Sequence, residues 1–480
     1  MELPILIAGK WRTPAAKTFG DVHNPSTGEV IARTPFCGAA EVDEAVQAAQ
    51  KAFVSWSQTP APKRATVLFK YRSLLEAHLE ELAKLVTREN GKTLDEARGD
   101  VRRGFEVVEF ATGIAHLQKG ESLPQVAEHI DGVTMREPLG VCAGISPFNF
   151  PAMVPMWMYP LAIACGNSFI LKPSEKVPLT AIRLAELFIE AGLPEGVFSL
   201  VHGGAEVVDA LCTHPGIAAV SFVGSSKVAA HVYALGAQHG KRVQAGGGAK
   251  NFQIVMEDAE PDSTIRAVMG ASFGCAGQRC MAGSVLVGVG AAGEPLQKRM
   301  LAAMDALKVD DTSANPAAEM GPVIDANSQK RVLGFIERGG AKLLRDGRQG
   351  IPKRGFFVGP TLYDGLLTQE EIFGPVLSLV RPASLDEAIA LANRSAFGNG
   401  ATLFTTSGKH ARQFALDIQC GMVGINVGVP APMSIFPFTG WNASFFGDLH
   451  MQGTEGVQFY TRQRVVLSRW DAAYRRQQGW

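Results

Sequence analysis

The sequence predicts an α/β protein built from two parallel-sheet units in series. From about residue 138 onward, short and continuously apolar segments alternate with amphipathic helical segments. This alternation is typical of parallel strands that are covered by helices on both faces. A glycine cluster at residues 246–248 interrupts the alternation, which then resumes. With 480 residues, the chain is also long enough for more than one compact unit.

Three amphipathic helices are expected ahead of these units. Apolar side chains recur on one helical face in residues 41–56, residues 62–90 show a longer pattern of the same kind, and residues 93–112 repeat it. Gly91 follows the second pattern directly, and a glycine at this position is typical of a helix C-terminus because it adopts left-handed dihedral angles without strain.

The alternating elements are assigned from their apolar runs and helical periodicity. The first unit reads LGVCAGI, NSFILK, helix PLTAIRLAELFIEAG, VFSLVHG, helix AEVVDALCTHP, IAAVSFVG and helix SKVAAHVYALG. The second reads NFQIVM, helix 262–273, SVLVGV, helices 296–307 and 327–338, PVLSLV, helix 385–394, ATLFTT, helix 409–417 and MVGIN. Residues 116–135 and the tail after about residue 455 fit neither unit, and we expect a hairpin and a terminal strand that pair with each other or with another subunit.

Charge and cysteine content argue against several functional classes. The 46 Lys and Arg residues balance the 46 Asp and Glu residues, whereas non-specific nucleic-acid binding usually needs a basic excess. The seven cysteines are widely spaced and form no CxxC pair. We therefore expect neither a disulfide framework nor a metal site. We also expect that the protein functions in a reducing compartment.

One long uncharged stretch raises the question of a membrane segment. Residues 138–171 carry no charge and are long enough to span a bilayer. Four prolines within the stretch would interrupt a helix repeatedly, so we predict buried strands and loops and no membrane association. No signal peptide is evident at the N-terminus, and a cytoplasmic location is expected.

Two motifs supply groups for nucleophilic catalysis. In FGCAGQRC, Cys280 follows a glycine-containing turn, and Arg279 beside it would favour the thiolate, which is the reactive form. Cys275 is the alternative nucleophile in the same segment. In ISPFNFP, the side-chain amide of Asn149 could donate to a developing oxyanion. Taken singly, a buried structural thiol and a turn asparagine explain these residues at least as well.

Three further motifs could hold a ligand. In SFVGSS an apolar strand runs into a helix whose free N–H groups suit a phosphate, although a serine cap explains it equally. In KPSE, Lys172 and Glu175 follow a strand, and open α/β sheets bind ligands at the carboxyl ends of their strands. The motif EEIFGP precedes another strand. Residues 288–293 match GxGxxG, but in a chain with 52 glycines we interpret them as an ordinary strand-to-helix turn.

Together and in this order, PFNFP, KPSE, FVGS, GGGAKN, FGCAGQRC and EEIFGP resemble the motifs of the aldehyde dehydrogenase superfamily, over nearly the whole chain. The resemblance implies that Cys280 is the nucleophile, that Asn149 is the oxyanion donor and that NAD is the cofactor. The resemblance places Glu175 beside the adenosine ribose. Its carboxylate would repel a 2′-phosphate, which favours NAD over NADP. The implied cofactor contacts are Ser146, Phe148, Lys172, Glu175, Lys176, Gly224, Ser225, Gly247, Glu371 and Phe373.

The implied fold is aldehyde dehydrogenase-like, with two parallel-sheet α/β domains and a small oligomerisation element. The expected domains are an NAD-binding domain of residues 1–115 and 136–245 and a catalytic domain of residues 246–440. Residues 116–135 and 455–480 are expected to form the oligomerisation element of a homodimer or homotetramer.

One departure from the family pattern narrows the expected activity. Most members carry a glutamate where Gly246 stands here, and glycine cannot activate water to hydrolyse the acyl-enzyme. The segments GAKN and GQRCM and residues 436–450 resemble the branch of methylmalonate-semialdehyde dehydrogenases, which acylate coenzyme A. A thiol needs less activation than water does.

This resemblance implies oxidation of methylmalonate or malonate semialdehyde to propionyl-CoA or acetyl-CoA, with release of CO2 and NADH. The substrate carboxylate is expected to pair with Arg103 and Arg279. Arg102 is the second choice, since it points about 100° away on a helix. The alternatives are a hydrolytic NAD(P)-dependent aldehyde dehydrogenase that uses another base, and a non-enzymatic member of the family.

Overall fold

Two large sheets, a three-stranded sheet, two strand pairs and the surrounding helices form the protein. The structure, a computed structural model, describes residues 1–365 and 367–470. In chain order, the first elements are β1 (Ile5–Ile7), β2 (Lys10–Arg12), β3 (Phe19–Asn24), β4 (Glu29–Pro35), α1 (Ala39–Trp56), α2 (Ala61–Ala77), α3 (Leu79–Asn90), α4 (Leu94–Thr112), α5 (Ile114–Leu117), β5 (Ser122–Ala127), β6 (Ile130–Pro138), β7 (Val141–Ile145), α6 (Met153–Ala164), β8 (Ser168–Lys172), α7 (Pro178–Glu190), β9 (Phe198–Leu200), α8 (Ala205–Thr213), β10 (Ile217–Val223), α9 (Ser226–Gln238) and β11 (Arg242–Gly246).

The elements that follow belong mainly to the second large sheet. They are β12 (Asn251–Val255), α10 (Pro261–Phe273), β13 (Gly283–Gly288), α11 (Gly293–Ala306), α12 (Ala326–Arg338), β14 (Lys342–Arg345), β15 (Thr361–Asp364), β16 (Val376–Val380), α13 (Leu385–Asn393), β17 (Phe397–Gly398), β18 (Gly400–Phe404), α14 (Gly408–Asp417), β19 (Met422–Ile425), β20 (Trp441–Asn442), β21 (Phe445–Phe446), α15 (Gly453–Phe459) and β22 (Thr461–Arg469). Short 3₁₀ turns lie at Gly274–Gly277 and Gly290–Ala292.

The first large sheet has the strand order β2-β1-β9-β8-β7-β10-β11-β21. Its central strands, from β9 to β11, pair in parallel, whereas β1 and β21 add antiparallel to the two sides. All residues of β7 and β8 are buried, as expected for strands with helices on both faces. The predicted alternation of strands and helices is thus confirmed for this unit.

The second large sheet has the order β14-β15-β16-β13-β12-β18-β19, and only the edge strand β14 pairs antiparallel. Its strands β12 and β18 are entirely buried. A four-residue link, 247–250, leads from the end of β11 directly into β12. The glycine cluster therefore lies at the junction of the two sheets, which is also where the motif residues converge.

The predicted single helix 62–90 is wrong, because the structure has two helices here. The chain leaves the helical region at His78, with φ −102° and ψ 15°. No glycine or proline marks the break, which reflects different packing partners: both helices contact α4 and α7, but α2 also packs on α6 whereas α3 packs on β3. The predicted end at Gly91 is confirmed, with φ +85°.

The uncharged stretch 138–171 also differs from the prediction, since it contains the helix α6. Pro155 lies in the first turn, where its missing N–H has no intrahelical partner to lose. Pro160 removes one interior hydrogen bond, but every residue from Val154 to Ala164 is buried and packing holds the helix. Among the described residues, no helix is both long enough and apolar enough to cross a membrane.

The hairpin and the tail pair with each other. The third sheet has the order β22-β6-β5, with β22 antiparallel to β6 from Thr461 to Arg469. Its faces expose apolar side chains, among them Leu123, Val126, Val465 and Leu467. The end of the predicted element, residues 471–480, lies outside the described residues.

Candidate active site

Cys280 lies on the loop between the 3₁₀ turn Gly274–Gly277 and β13, and polar contacts fix its backbone. The side-chain amides of Asn251 and Asn399 donate to the Cys280 carbonyl oxygen at 2.8 and 2.9 Å. A Cβ atom on Gly277 would lie 2.3 Å from the carbonyl oxygen of Gly374, so the turn packs closely against the EIFGP segment. Two distant sequence motifs thus meet at the thiol.

The Cys280 thiol is partly exposed, whereas the six other cysteines are buried. It lines a cavity of about 210 Å³ together with the two predicted arginines, Arg103 and Arg279, and the aromatic side chains of Phe150, Trp157 and Phe438. On other sides, the residue borders one small cavity with Gly246 and another with Glu371. Cys280 is therefore the accessible cysteine of its segment.

Burial raises the pKa of Cys280 to about 12, and the carboxylate of Glu371 adds to the increase. Arg279 favours the thiolate, as predicted, but burial outweighs its effect. The Arg279 side chain is directed to other groups. Its Nε donates to Cys275 Sγ at 3.1 Å, and its Nη2 donates to Glu96 Oε1 at 3.2 Å. The neighbouring guanidinium is thus already held by other partners.

Glu96 joins the helix α4 to the cysteine turn. Its Oε1 accepts the N–H of Cys275 at 2.7 Å as well as Arg279. Its Oε2 accepts the N–H of Thr93 at 3.1 Å and completes a capping box at the start of α4. One carboxylate therefore sets the position of Arg279 relative to the helix that carries Arg103.

Arg103 reaches the same cavity from α4. It pairs with Glu106 at 2.9 Å and donates to the carbonyl oxygen of Pro432 at 2.6 Å. Arg102 is exposed and does not line the cavity. Of the two neighbouring arginines, the one that the family resemblance implies lines the cavity with Cys280.

Asn149 lies on the loop between β7 and α6, which a buried ion pair holds in place. Asn149 is 5% exposed, and its side-chain amide makes no hydrogen bond to the described residues. Its carbonyl oxygen accepts from the ammonium of Lys92, which pairs with Asp100 at 2.9 Å. Asp100 also accepts the N–H of Met153 at 2.7 Å. The loop is anchored through its backbone, and the amide is left free to donate.

The residues expected to hold an adenosine lie at the ends of β7 and β8. Lys172 pairs with Glu175 at 3.2 Å, and although burial opposes the shift, this ammonium lowers the pKa of Glu175. The Ser146 N–H donates to the Lys172 carbonyl oxygen at 3.1 Å. Lys176 pairs with Asp325 at 2.7 Å, and a cavity of about 240 Å³ opens beside Glu175 and Lys176.

The start of α9 is available to an anion. Ser225 precedes the helix, and its side chain makes no capping hydrogen bond. Ser226 instead donates to the carbonyl oxygen of Ala443 at 2.5 Å and accepts the N–H of Gly248 at 2.8 Å. The first-turn N–H groups of α9 suit a phosphate for this reason.

Glu371 and Phe373 approach the glycine cluster from the second sheet. Oε1 of Glu371 accepts the N–H of Ala249 at 2.9 Å. Burial raises the pKa of Glu371 to about 7, although the hydrogen bond from Ala249 acts in the opposite direction. Phe373 has φ +52° and packs edge-on against Phe148, with ring centroids 5.8 Å apart.

Neighbouring segments pack closely against the backbone of the glycine cluster. A Cβ on Gly247 would lie 2.6 Å from the Ala443 carbonyl oxygen, and one on Gly248 would lie 2.3 Å from Glu371 Oε2. At Gly246 the nearest atom would be 3.6 Å away, in ordinary contact. Backbone atoms therefore leave no room for a side chain at Gly247, a side chain at Gly248 would displace the end of Glu371, and Gly246 is not restricted in this way.

The GxGxxG match at 288–293 uses its backbone groups within the protein. The N–H of Ala291 donates to Glu257 Oε1 at 2.7 Å, and that of Gly290 donates to the Pro382 carbonyl oxygen at 3.0 Å. A carboxylate at this turn would repel a phosphate. The geometry agrees with an ordinary strand-to-helix turn.

Sequence reasoning missed several residues that build the site: Lys92, Glu96, Asp100, Asn251 and Asn399. The T-x-x-E pattern of the capping box signals the helix start but not the contacts of Glu96 with a turn far along the chain. Within residues 1–365 and 367–470, no cluster of three or more His, Cys, Asp or Glu side chains could hold a metal ion.

Comparison with known proteins extends this picture. A model of the aldehyde dehydrogenase family matches residues 11–466. Malonate-semialdehyde dehydrogenase of Halalkalibacterium halodurans is 51% identical over 478 residues, which cover 98% of both chains. Malonate-semialdehyde dehydrogenase 2 of Geobacillus kaustophilus is 51% identical over 474 residues, which cover 97% of this chain and 98% of that one.

Two crystal structures are similar over 98% of this chain and 99% of theirs. Methylmalonate-semialdehyde dehydrogenase from Oceanimonas doudoroffii has a TM-score of 0.96 at 45% identity. A Sinorhizobium meliloti protein described by the same enzyme name, and solved in complex with NAD, has a TM-score of 0.97 at 44% identity.

Proposed function

The chain belongs to the aldehyde dehydrogenase family and is an enzyme of that family, and from this membership we propose that it oxidises malonate or methylmalonate semialdehyde with NAD and transfers the acyl group to coenzyme A. The observation that carries the proposal is the cavity that Cys280 shares with Arg103 and Arg279. A short substrate with an aldehyde at one end and a carboxylate at the other matches a cavity lined by one thiol and two arginines.

In the proposed cycle, the Cys280 thiolate attacks the aldehyde carbonyl carbon. The free amide of Asn149 donates to the resulting oxyanion. NAD, when bound, would supply the hydride acceptor for this carbon, and Cys280 then holds the acyl group as a thioester. Arg103 and Arg279 orient the carboxylate until its C–C bond breaks and CO2 leaves, after which the α-carbon takes up a proton from water. The thiol of coenzyme A then takes the acyl group and frees Cys280.

The described residues suit NAD on three counts. The start of α9 after Gly224 has a free serine hydroxyl and unpaired first-turn N–H groups for the phosphates. Glu175, which pairs with Lys172, borders the cavity beside Lys176 and would present a carboxylate to a ribose. Ser146, Phe148, Gly247, Glu371 and Phe373 complete the proposed contacts. The proposed cofactor domain comprises residues 1–115 and 136–245, and the proposed catalytic domain comprises residues 246–440.

Coenzyme A is preferred to water as the acyl acceptor because no side chain stands at Gly246, which borders a cavity with Cys280. A hydrolytic enzyme is the second candidate, since the partly buried carboxylate of Glu371 borders a small cavity with Cys280 and could act on water. The measurement that separates the two is NADH formation from malonate or methylmalonate semialdehyde with and without coenzyme A. We expect a stoichiometric burst that becomes sustained turnover only with coenzyme A. Equal turnover without it would show that the enzyme is hydrolytic.

The three-stranded sheet is the proposed oligomerisation element. Its strands β5 and β22 expose apolar side chains that a second subunit would cover in a homodimer or homotetramer. The proposed element comprises residues 116–135 and 455–480, of which residues 471–480 lie outside the described part of the chain.

A further inference from the structure

We propose that Glu371 is the general base of acyl transfer, which accepts the proton of the attacking coenzyme A thiol while the acyl group is still bound to Cys280. The inference rests on the proposed function. It assigns the role that the family pattern leaves vacant, because Gly246 has no side chain that could take a proton.

The first support is the position of the carboxylate. Glu371 and Cys280 border the same small cavity, and they are close enough for the charge of Glu371 to raise the pKa of the thiol. Oε1 is fixed by the N–H of Ala249 at 2.9 Å. Oε2 accepts no hydrogen bond from the described residues and lies in the space that a side chain on Gly248 would fill. One oxygen therefore anchors the group and the other is free to accept a proton.

The second support is the set of charges around the carboxylate. Lys250, on the link from β11 to β12, donates to the carbonyl oxygen of Glu370 at 2.9 Å. Arg331, on α12, points to the carbonyl oxygen of Glu371 itself at 3.5 Å. Neither cation donates to the Glu371 carboxylate, and Arg279 is held by Glu96 and Cys275. The Glu371 carboxylate is thus partly buried, and it has no direct ion pair among the described residues.

The surroundings of Glu371 give it a pKa that suits removal of a proton from a thiol. Burial raises the pKa of Glu371 to about 7, opposed by the Ala249 N–H and more weakly by Arg331 and Lys250. An ordinary thiol has a pKa of about 8.5. A base whose pKa lies near neutral pH is ionised in a large fraction of the molecules there and still has enough affinity for the proton to remove it during attack.

The step balances without any redox partner. The thiol S–H bond breaks as its sulfur bonds to the thioester carbon, and the proton passes to Glu371. The tetrahedral adduct then collapses, the bond from carbon to Cys280 Sγ breaks, and the Cys280 thiolate takes the proton back from Glu371. Acyl-CoA, the free thiol of Cys280 and ionised Glu371 result.

The proposed ribose contact of Glu371 imposes an order on the reaction. If ribose hydroxyls donate to Oε2, the oxygen that Ala249 leaves free, that oxygen is not available to the proton of a thiol. Acyl transfer must therefore follow release of the reduced cofactor, and added NADH should slow it.

The test forms the acyl-enzyme without NAD. Cys280 is acylated with p-nitrophenyl propionate, the p-nitrophenol burst counts the sites, and transfer to coenzyme A is followed by rapid mixing between about pH 5 and 9. In the unmodified enzyme we expect transfer to accelerate with an apparent pKa near 7. In Glu371→Gln we expect a full burst, transfer slower by about 10²-fold at neutral pH, and a rise displaced to the pKa of the free thiol, about 8.5.

Glu370→Gln is the matched control, because Glu370 is the adjacent carboxylate but is exposed, and it should behave as the unmodified enzyme. If Glu371→Gln transfers as fast and with the same pH profile as the unmodified enzyme, the inference fails and the proposed function stands. If the unmodified acyl-enzyme reacts with water but not with coenzyme A, both fail. A second measurement needs no variant: transfer that saturating NADH leaves unchanged would also overturn the assignment.

Discussion

The two cysteines of one turn show how surroundings decide reactivity. Cys275 is buried, has φ +51°, and its sulfur accepts a hydrogen bond from Arg279 at 3.1 Å. Cys280 is partly exposed and borders the cavity that contains both arginines. An electrophile can reach the second sulfur but not the first, although both follow the same glycine-containing pattern.

Cys280→Ala should therefore abolish acyl-enzyme formation, with activity reduced at least about 10³-fold, because no other thiol reaches the cavity. The measurement is the p-nitrophenol burst and NADH formation. Cys275→Ala is the control and should keep the burst. A burst that survives in Cys280→Ala and disappears in Cys275→Ala would reverse the assignment of the nucleophile.

Arg103→Gln should lower kcat/KM for malonate semialdehyde by about 10²-fold, since it removes one of two groups that pair with the carboxylate. Oxidation of propanal, which has no carboxylate, should change little. Arg102→Gln is the matched control because Arg102 is exposed on the same helix. An equal loss with both aldehydes would indicate a structural effect of Arg103 instead of substrate recognition.

At the scale of elements, α4 organises much of the cavity. Its start is capped through Glu96, which also holds the cysteine turn, and its middle carries Asp100 and Arg103. Asp100 and Lys92 form a pair that is almost completely buried, and Lys92 stacks over Phe150 at 3.8 Å. A single helix thus positions the loop that carries Asn149, the side chain of Arg103 and the Glu96 partner of Arg279.

Asp100→Ala should lower the free energy of unfolding by about 3–5 kcal/mol, because it leaves the Lys92 ammonium buried without its partner. Urea unfolding measures the change. Asp95→Ala is the control on the same helix, since the Asp95 side chain is 91% exposed, and its effect should stay near 0.5 kcal/mol. Equal effects of the two variants would contradict a stabilising role of the buried pair.

At the scale of the whole molecule, the site belongs to no single sheet. The cavity beside Gly246 combines the end of β11 in the first sheet, Cys280 before β13 in the second, and Phe445 and Met451 from the C-terminal segment. The third sheet pairs β6 with β22, which follow one another only after a long intervening stretch of chain. Both the cavity around Cys280 and the third sheet depend on long-range contacts.

Gly246→Glu should introduce turnover that does not require coenzyme A, because a carboxylate beside Cys280 can activate water. A Cβ at this position would make only ordinary contacts, with the nearest atom at 3.6 Å. NADH formation without coenzyme A measures the gain, and Gly246→Gln, which cannot act as a base, is the control. A gain shared by both variants would exclude base catalysis as its cause.

Leu467→Asp should weaken assembly, since it places a charge on an exposed apolar face of the third sheet. Sedimentation velocity measures the change in mass. Ser468→Asp changes the adjacent residue of β22, which points to the opposite face, and is the control. An unchanged mass for Leu467→Asp would place the subunit contact elsewhere.

The sequence by itself determined the α/β class, the order of most helices and strands and the end of α3 at Gly91, because periodicity and capping depend on near neighbours. The family motifs indicated Cys280, Asn149 and the arginines, and their catalytic roles stay predictions. Tertiary structure alone decided the break at His78, the helix α6 through two prolines, and the contacts of Arg279 away from Cys280. It also decided the high pKa of Cys280 and the near-neutral pKa of Glu371. These features depend on burial and on partners far apart in sequence, which no local pattern encodes.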